Sequence, residues 1–95
     1  MVTTYQVASF RHHDVDVILI VVDPSVAALS GDEKKSLLRD LERRAHELGL
    51  PGRVALVWQT GNRIHAWGPS SWSGFLGSID PLFLARSINR TLICR

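Results

Sequence analysis

The chain has 95 residues, of which 45% are hydrophobic and 21% are charged, and its formal net charge at pH 7 is +2. This balance excludes a disordered or low-complexity chain and predicts one compact α/β domain over residues 1–95. The small net charge selects neither nucleic acid nor a membrane as the partner. A domain of this length buries only about 60 to 65% of its unfolded surface, so a partner or a second copy (a homodimer) would add to its stability.

The cysteine content and the apolar runs indicate the compartment. The single cysteine, Cys94, excludes an internal disulfide and favours a reducing environment. The longest apolar run, residues 17–22, has six residues, whereas a membrane-spanning helix needs about 20. The first ten residues lack the basic and apolar regions of a signal peptide. The sequence therefore predicts a cytoplasmic protein with no membrane segment.

Two strands are predicted in the first quarter of the chain. Residues 5–11 alternate loosely between polar and apolar side chains, which indicates a short strand. Residues 15–22 are almost continuously β-branched or aliphatic, until Asp23 and Pro24 interrupt the run. Such a run is typical of a strand that is buried on both faces. We expect it to lie in the middle of the sheet.

A long helix follows. Ser30 and Glu33 have the spacing of a capping box, in which each side chain bonds the backbone N–H of the other residue. Gly49, just before Pro51, is placed to end the helix. Between them, one apolar stripe recurs at helical spacing, and it consists of Leu37, Leu38, Leu41, Ala45 and Leu48.

A β-hairpin is predicted next. Residues 53–59 and 63–67 read as two strands, and residues 60–62 read as the turn between them. If Gly61 and Asn62 form a two-residue loop, the hairpin has one register. That register pairs Trp58 with His65, Leu56 with Trp67, and Val57 with Ala66.

The last quarter predicts two short helices. Apolar side chains at helical spacing over residues 72–79 indicate the first, and the Asp80-Pro81 pair begins a second that continues towards residue 89. Residues 91–94 form either a short edge strand or an extension of that helix. The order of elements predicts an α+β fold, a small two-layer sandwich. Its sheet has three to five strands, mainly antiparallel or mixed, with one long helix and one or two short C-terminal helices on one face.

A metal site is one hypothesis for function. His12, Asp14 and Asp16 alternate along the chain, so on a single strand their side chains would share a face. One imidazole and two carboxylates suit Mn²⁺ or a transition metal, and Asp23 is a candidate fourth ligand. The alternative interpretation is a polar, solvent-facing entry to a strand. No cofactor, metal or small-molecule ligand is otherwise indicated.

The aromatic residues give the main functional hypothesis. Five of the seven aromatic residues fall within residues 58–83. Residues 1–48 carry six Lys or Arg and eight Asp or Glu, whereas residues 49–95 carry five and one. Because Trp and Arg dominate interface hot spots, the basic aromatic half predicts a binding face. Its residues are Trp58, Arg63, His65, Trp67, Trp72 and Arg86, although bulky aromatic side chains are also what a small core needs.

Three functions compete on this basis. The first is a small non-enzymatic module that binds a protein partner or itself through this C-terminal half. The second is nucleic-acid binding, with Arg53, Arg63, Arg86 and Arg90 on phosphates and an exposed Trp stacking on bases. The third is an enzyme, either a metal-dependent hydrolase using His12, Asp14 and Asp16 or one using His65 as a general acid or base. Lys35, Arg39 and Arg43 form a basic stripe on the long helix, which is interpreted as an ordinary solvated face because acids are interspersed.

Overall fold

The computed structural model describes residues 3–94, without the side chains of Ser70 and Cys94. Its strands are β1 (Thr3–His12), β2 (Val15–Val21), β3 (Arg53–Thr60), β4 (Arg63–Trp67) and β5 (Arg90–Cys94), and its α-helices are α1 (Gly31–Glu47), α2 (Ser73–Gly77) and α3 (Pro81–Ser87). The strands form one mixed sheet in the order β4-β3-β2-β1-β5. Only β2 and β3 pair in parallel. In the described part of the chain, no helix combines the length and apolar character needed to cross a membrane.

The middle of the sheet is β2, which confirms the prediction from its apolar run. Ile18 and Ile20 lie in the hydrophobic cluster on one face of the sheet, and Val17 and Leu19 lie in the cluster on the other. These four side chains are almost completely buried. An uninterrupted apolar strand therefore requires cover on both of its faces.

The long helix α1 covers the first face and connects the parallel strands β2 and β3. Its capping box forms as predicted, because the Ser30 hydroxyl accepts from the Glu33 N–H and a Glu33 carboxylate oxygen accepts from the Ser30 N–H, both at 3.1 Å. Leu41 and Ala45 are buried against the sheet. Gly49 takes a φ of +83°, which ends the helix.

The short helices α2 and α3 cover the second face. Leu76, Ile79 and Leu84 pack in one cluster with Ala8 and Leu19. The predicted α+β class is confirmed, with a mixed sheet, one long helix and two short C-terminal helices. The helices differ from the predicted arrangement in that they divide between the two faces of the sheet. The physical reason is that β2 and β3 are apolar on both sides, so helices on one side alone would leave half of that surface in water.

The hairpin β3-β4 has the predicted register, in which Trp58 pairs with His65 and Leu56 with Trp67. Its turn begins at Gly61 with a φ of +60°, as a two-residue turn with glycine first requires. At the other side of the sheet, residues 91–94 belong to the edge strand β5 and do not extend α3. The Asn89 side chain holds this edge in place, since it accepts from the Ser9 N–H at 3.0 Å and donates to the Ser9 carbonyl at 2.8 Å.

Candidate binding groove at the β4 edge

A groove of about 590 Å³ follows the open edge of β4. Its lining includes Trp58, His65 and Trp67 on the α1 side of the sheet, and Ile64 and Leu76 on the α2 side. A second cavity of about 260 Å³ shares Trp67 with it and runs between α1 and the end of β4. We call these two adjoining cavities the β4 groove.

The backbone of β4 presents free hydrogen-bonding groups to this groove. The Val57 carbonyl accepts from the Val22 N–H at 2.8 Å and so points away from β4. The pair Val57-Ala66 is therefore one of the antiparallel pairs without mutual hydrogen bonds. Hydrogen-bonded and non-hydrogen-bonded pairs alternate along an antiparallel ladder. Ile64 and Ala66 are both in non-hydrogen-bonded pairs, so their N–H and C=O groups point away from β3. Residues 3–94 supply no further strand beyond β4.

The floor of the groove is aromatic and consists of Trp58, His65 and Trp67. Trp58 is 6% exposed and belongs to the core, while its ring stacks on His65 with centroids 5.9 Å apart and planes 18° apart. The His65 Nε2 atom lies 2.8 Å from the Thr60 hydroxyl oxygen, which fixes the orientation of the imidazole. Trp67 is partly buried against the same core. Trp58 therefore supports the floor, and His65 and Trp67 present the surface to a ligand.

Four cationic side chains also line the groove. Lys34 lines the larger cavity, and Lys35, Arg39 and Arg53 line the smaller one. Among the described residues, no carboxylate lies within ion-pair distance of these four side chains. Glu42 also lines the smaller cavity, but its carboxylate accepts from the Val54 N–H at 3.1 Å. The groove therefore carries an excess of positive charge.

The predicted binding residues do not all belong to the groove. Trp58, His65 and Trp67 line it, and Arg63 is exposed at the start of β4. Trp72 instead packs with the cluster on the opposite face of the sheet, and Arg86 is exposed on α3, which covers that face. The structure thus brings four of the six predicted residues to one edge and places the other two elsewhere.

The contribution of α1 was not predicted from the sequence. Lys35 and Arg39 belong to the basic stripe for which the sequence favours a solvated face, and they line the groove together with Lys34. The third member of the stripe, Arg43, donates to the Asp40 carboxylate at 2.7 Å. The spacing of these cations is visible in the sequence. That Lys35 and Arg39 face the groove follows only from the packing of α1 beside β4.

The expected alignment of His12, Asp14 and Asp16 is wrong, because a turn falls between them. His13 and Asp14 take φ values of +50° and +63° and connect β1 to β2. His12 therefore pairs with Val15. Its ring stacks on the Phe75 ring on the α2 side of the sheet, with centroids 4.2 Å apart. Asp16 pairs instead with Arg11, whose guanidinium lies 3.7 Å from its carboxylate.

No other described residue completes a metal site around this turn. The candidate fourth ligand, Asp23, accepts a hydrogen bond from the Ser25 N–H at 2.8 Å. This bond lowers the pKa of Asp23 below its ordinary range. Among the side chains that the structure describes, no three from His, Cys, Asp or Glu come together as metal ligands would.

The four arginines of the nucleic-acid hypothesis are dispersed. Arg53 and Arg63 begin antiparallel neighbours and so lie at opposite ends of the hairpin. Arg86 lies on α3, and Arg90 begins β5 at the far edge of the sheet. Four inter-strand spacings separate the two edges, which is about 19 Å. These arginines do not form one continuous phosphate-binding stripe.

Comparison of the chain with known families, with curated proteins and with solved structures gives no match. The geometry of the groove therefore carries the functional argument.

Proposed function

We propose that the chain is a small, non-enzymatic protein-interaction module that binds a protein partner in the β4 groove. The observation that supports this most directly is the open edge of β4 beside a partly buried tryptophan. Backbone donors and acceptors supply affinity for another chain, and an aromatic anchor in a pocket supplies a hot spot. A cytoplasmic location belongs to the same proposal and is supported by the single cysteine.

A different protein is a better occupant of the groove than a second copy of this chain. In a symmetric dimer formed through β4, the two grooves would approach each other. Each groove carries Lys34, Lys35 and Arg39 without ion-pair partners among the described residues. Like charges placed together oppose association, so we propose that the partner is not a second copy.

The test is capture of partners from a lysate of the source organism, with and without nuclease treatment, followed by mass spectrometry. The wild-type chain is compared with Trp67→Ala and with Lys35→Glu/Arg39→Glu, which changes only exposed side chains. The matched control is Arg86→Glu/Arg90→Glu, which makes the same change of charge away from the groove. Circular dichroism checks that each variant folds.

The expected result is that both groove variants lose a captured protein by about tenfold or more while the control keeps it. If no protein is captured, or if the groove variants retain the same proteins as the control, the proposal is wrong. A capture that disappears with nuclease would favour the nucleic-acid hypothesis instead. Sedimentation of the purified chain tests self-association, for which a concentration-dependent dimer would be the contrary result.

A further inference from the structure

We propose that the partner enters the β4 groove as an extended, acidic segment that adds to the sheet as a sixth strand. This inference rests on the proposed function and specifies its ligand. Three features of the groove carry it: the outward backbone groups of β4, the cations on its α1 side, and the apolar side chains on its α2 side.

The backbone determines the conformation of the ligand. Ile64 and Ala66 present their N–H and C=O groups to the open edge, at the spacing with which an extended chain pairs. A strand of five residues opposite β4 spans about 17 Å. An extended peptide satisfies these groups, whereas a helix bonds its own backbone groups internally.

The two sides of the groove determine which side chains the ligand needs. Successive side chains of an added strand point alternately to the α1 side and to the α2 side. Those on the α1 side meet Lys34, Lys35 and Arg39 beside Trp67, which favours glutamate or aspartate. Those on the α2 side meet mainly apolar residues and no cation among the lining residues.

The α2 side is mainly apolar. Its lining consists of Ile64, Ala66, Ser73, Leu76 and Gly77. Ile64 and Ala66 are partly buried already, and Leu76 belongs to the core cluster. Valine or alanine suits this side, because a charge would lose hydration there without gaining a partner. The predicted ligand therefore alternates acidic and small aliphatic residues.

The opposite edge of the sheet is a useful comparison. The cavity beside β5 measures about 230 Å³ and is lined by Leu48, Gly49, Leu50, Arg90 and Thr91. Its described lining contains one cation and no aromatic side chain. Both edges of the sheet are open in the part of the chain that the structure describes, but the aromatic floor and the cluster of cations occur together at β4.

The experiment measures the binding of three fluorescent peptides to the full chain by anisotropy. The first contains Glu-Val-Glu-Val-Glu, the second contains Lys-Val-Lys-Val-Lys, and the third contains Glu-Pro-Glu-Pro-Glu. The third peptide keeps the charge of the first but loses alternate N–H donors. A single-stranded oligothymidylate of similar length is the nucleic-acid probe.

We expect the first peptide to bind at least about tenfold more tightly than the other two peptides and the oligonucleotide. Lys35→Glu/Arg39→Glu should weaken it by about tenfold, while Arg86→Glu/Arg90→Glu leaves it within about twofold. Ala66→Pro should abolish binding, because an edge position accepts proline but then lacks the outward N–H. Circular dichroism checks that Ala66→Pro folds, and Lys35→Glu/Arg39→Glu tests the groove without changing the backbone of β4.

Several results would overturn the inference. Equal binding of the valine and proline peptides would show attraction by charge without strand addition. Equal binding of the acidic and basic peptides would show that the cations do not select the ligand, and preference for the oligonucleotide would assign the groove to nucleic acid. If no peptide binds while protein capture still depends on the groove, the proposed function stands and the acidic strand is wrong. If capture also fails, both proposals fail.

Discussion

The turn between β1 and β2 places two non-glycine residues in the left-handed region of backbone space. His13 and Asp14 have φ values of +50° and +63°, and L-residues other than glycine adopt such values at a cost of about 1–2 kcal/mol, which is smaller for Asp and Asn. Two-residue hairpin turns with positive φ at both positions favour Asn-Gly. The pair His13-Asp14 therefore reduces the stability of the hairpin.

We expect His13→Asn/Asp14→Gly to raise the free energy of unfolding by about 1 kcal/mol, which corresponds to a rise in Tm of about 4–8 °C. The backbone carbonyl that accepts from the Arg11 guanidinium is kept in this variant. Gly61→Ala is the matched opposite change, since Gly61 has a φ of +60° and nothing lies within 4 Å of the place that a Cβ atom would take. It should lose about 1 kcal/mol through backbone strain alone. Thermal unfolding of both variants measures the two effects, and changes of the same sign would contradict the argument.

Two aspartates connect stability to pH. The Ser25 backbone N–H beside Asp23 lowers the pKa of that carboxyl, and the Arg44 guanidinium beside Asp40 lowers the pKa of the other. A group whose pKa is lower in the folded state stabilises the fold above its unfolded pKa, which is about 3.9 for aspartate. This contribution is lost as the pH falls through the lower, folded value.

The expected outcome is that Tm decreases as the pH falls below about 4, and that Asp23→Asn/Asp40→Asn flattens this decrease. The double variant should also be less stable than the wild type at pH 7, because an Asn oxygen still accepts these hydrogen bonds but lacks the negative charge that strengthens them. Calorimetry from pH 7 to pH 2.5 measures both curves. Parallel curves would show that other groups produce the acid sensitivity.

Gly68 controls how the chain leaves β4 and enters α2. A Cβ atom at this position would lie 2.7 Å from the Ala55 Cβ and 3.1 Å from the Ala55 Cα. Ala55 is fully buried in β3, so neither atom has room to move. The close approach of these two small residues therefore holds the Trp67 end of the groove against the sheet.

We expect Gly68→Ala to cost about 1–3 kcal/mol through overpacking. Ala55→Gly should cost about 1 kcal/mol on its own. The loss of unfolding free energy in the double variant should be smaller than the sum of the two single losses by about 1 kcal/mol. Gly74→Ala is the control, because nothing lies within 4 Å of its added Cβ, and it should leave stability unchanged or slightly higher. Denaturant unfolding gives all four values, and strict additivity would contradict the proposed contact.

Elements with local signals could be predicted from the sequence. The capping box begins α1 at the predicted residue, and Gly61 determines the register of the hairpin, so Trp58 meets His65 as expected. The break between β1 and β2 also follows from the predicted strands over residues 5–11 and 15–22, but a positive φ at His13 does not, because turns of this kind favour Asn, Asp and Gly. That turn pairs His12 with Val15 and Asp16 with Arg11, so His12 and Asp16 do not share a face as the metal hypothesis requires.

The groove depends on contacts between distant parts of the chain, which explains why the sequence predicts only half of it. His65 and Trp67 both lie in β4, two positions apart. Lys35 and Arg39 come from α1, nearly thirty residues earlier in the chain. Their approach to β4 follows from the parallel crossover between β2 and β3. A pattern of side chains within one segment does not contain that information.

Helices cover both faces of the sheet, so its open parts in the described chain are the outer edges of β4 and β5. Protection of backbone amides from hydrogen exchange should therefore decrease from the centre outwards, because sub-global opening begins where few partners hold a strand. Amides of β2 and β3 should exchange at the rate of global unfolding, and those of β4 and β5 should exchange faster.

Within β4 the alternation of hydrogen bonds gives a sharper expectation. The amides of His65 and Trp67 point to β3, whereas those of Ile64 and Ala66 point to the groove. We expect the second pair to exchange at least about tenfold faster than the first by nuclear magnetic resonance. Addition of the Glu-Val-Glu-Val-Glu peptide should slow Ile64 and Ala66 selectively, since an added strand bonds these amides and leaves the inner pair unchanged. Equal protection of all four amides in the free chain would contradict an open β4 edge, because the outward amides would then already have partners.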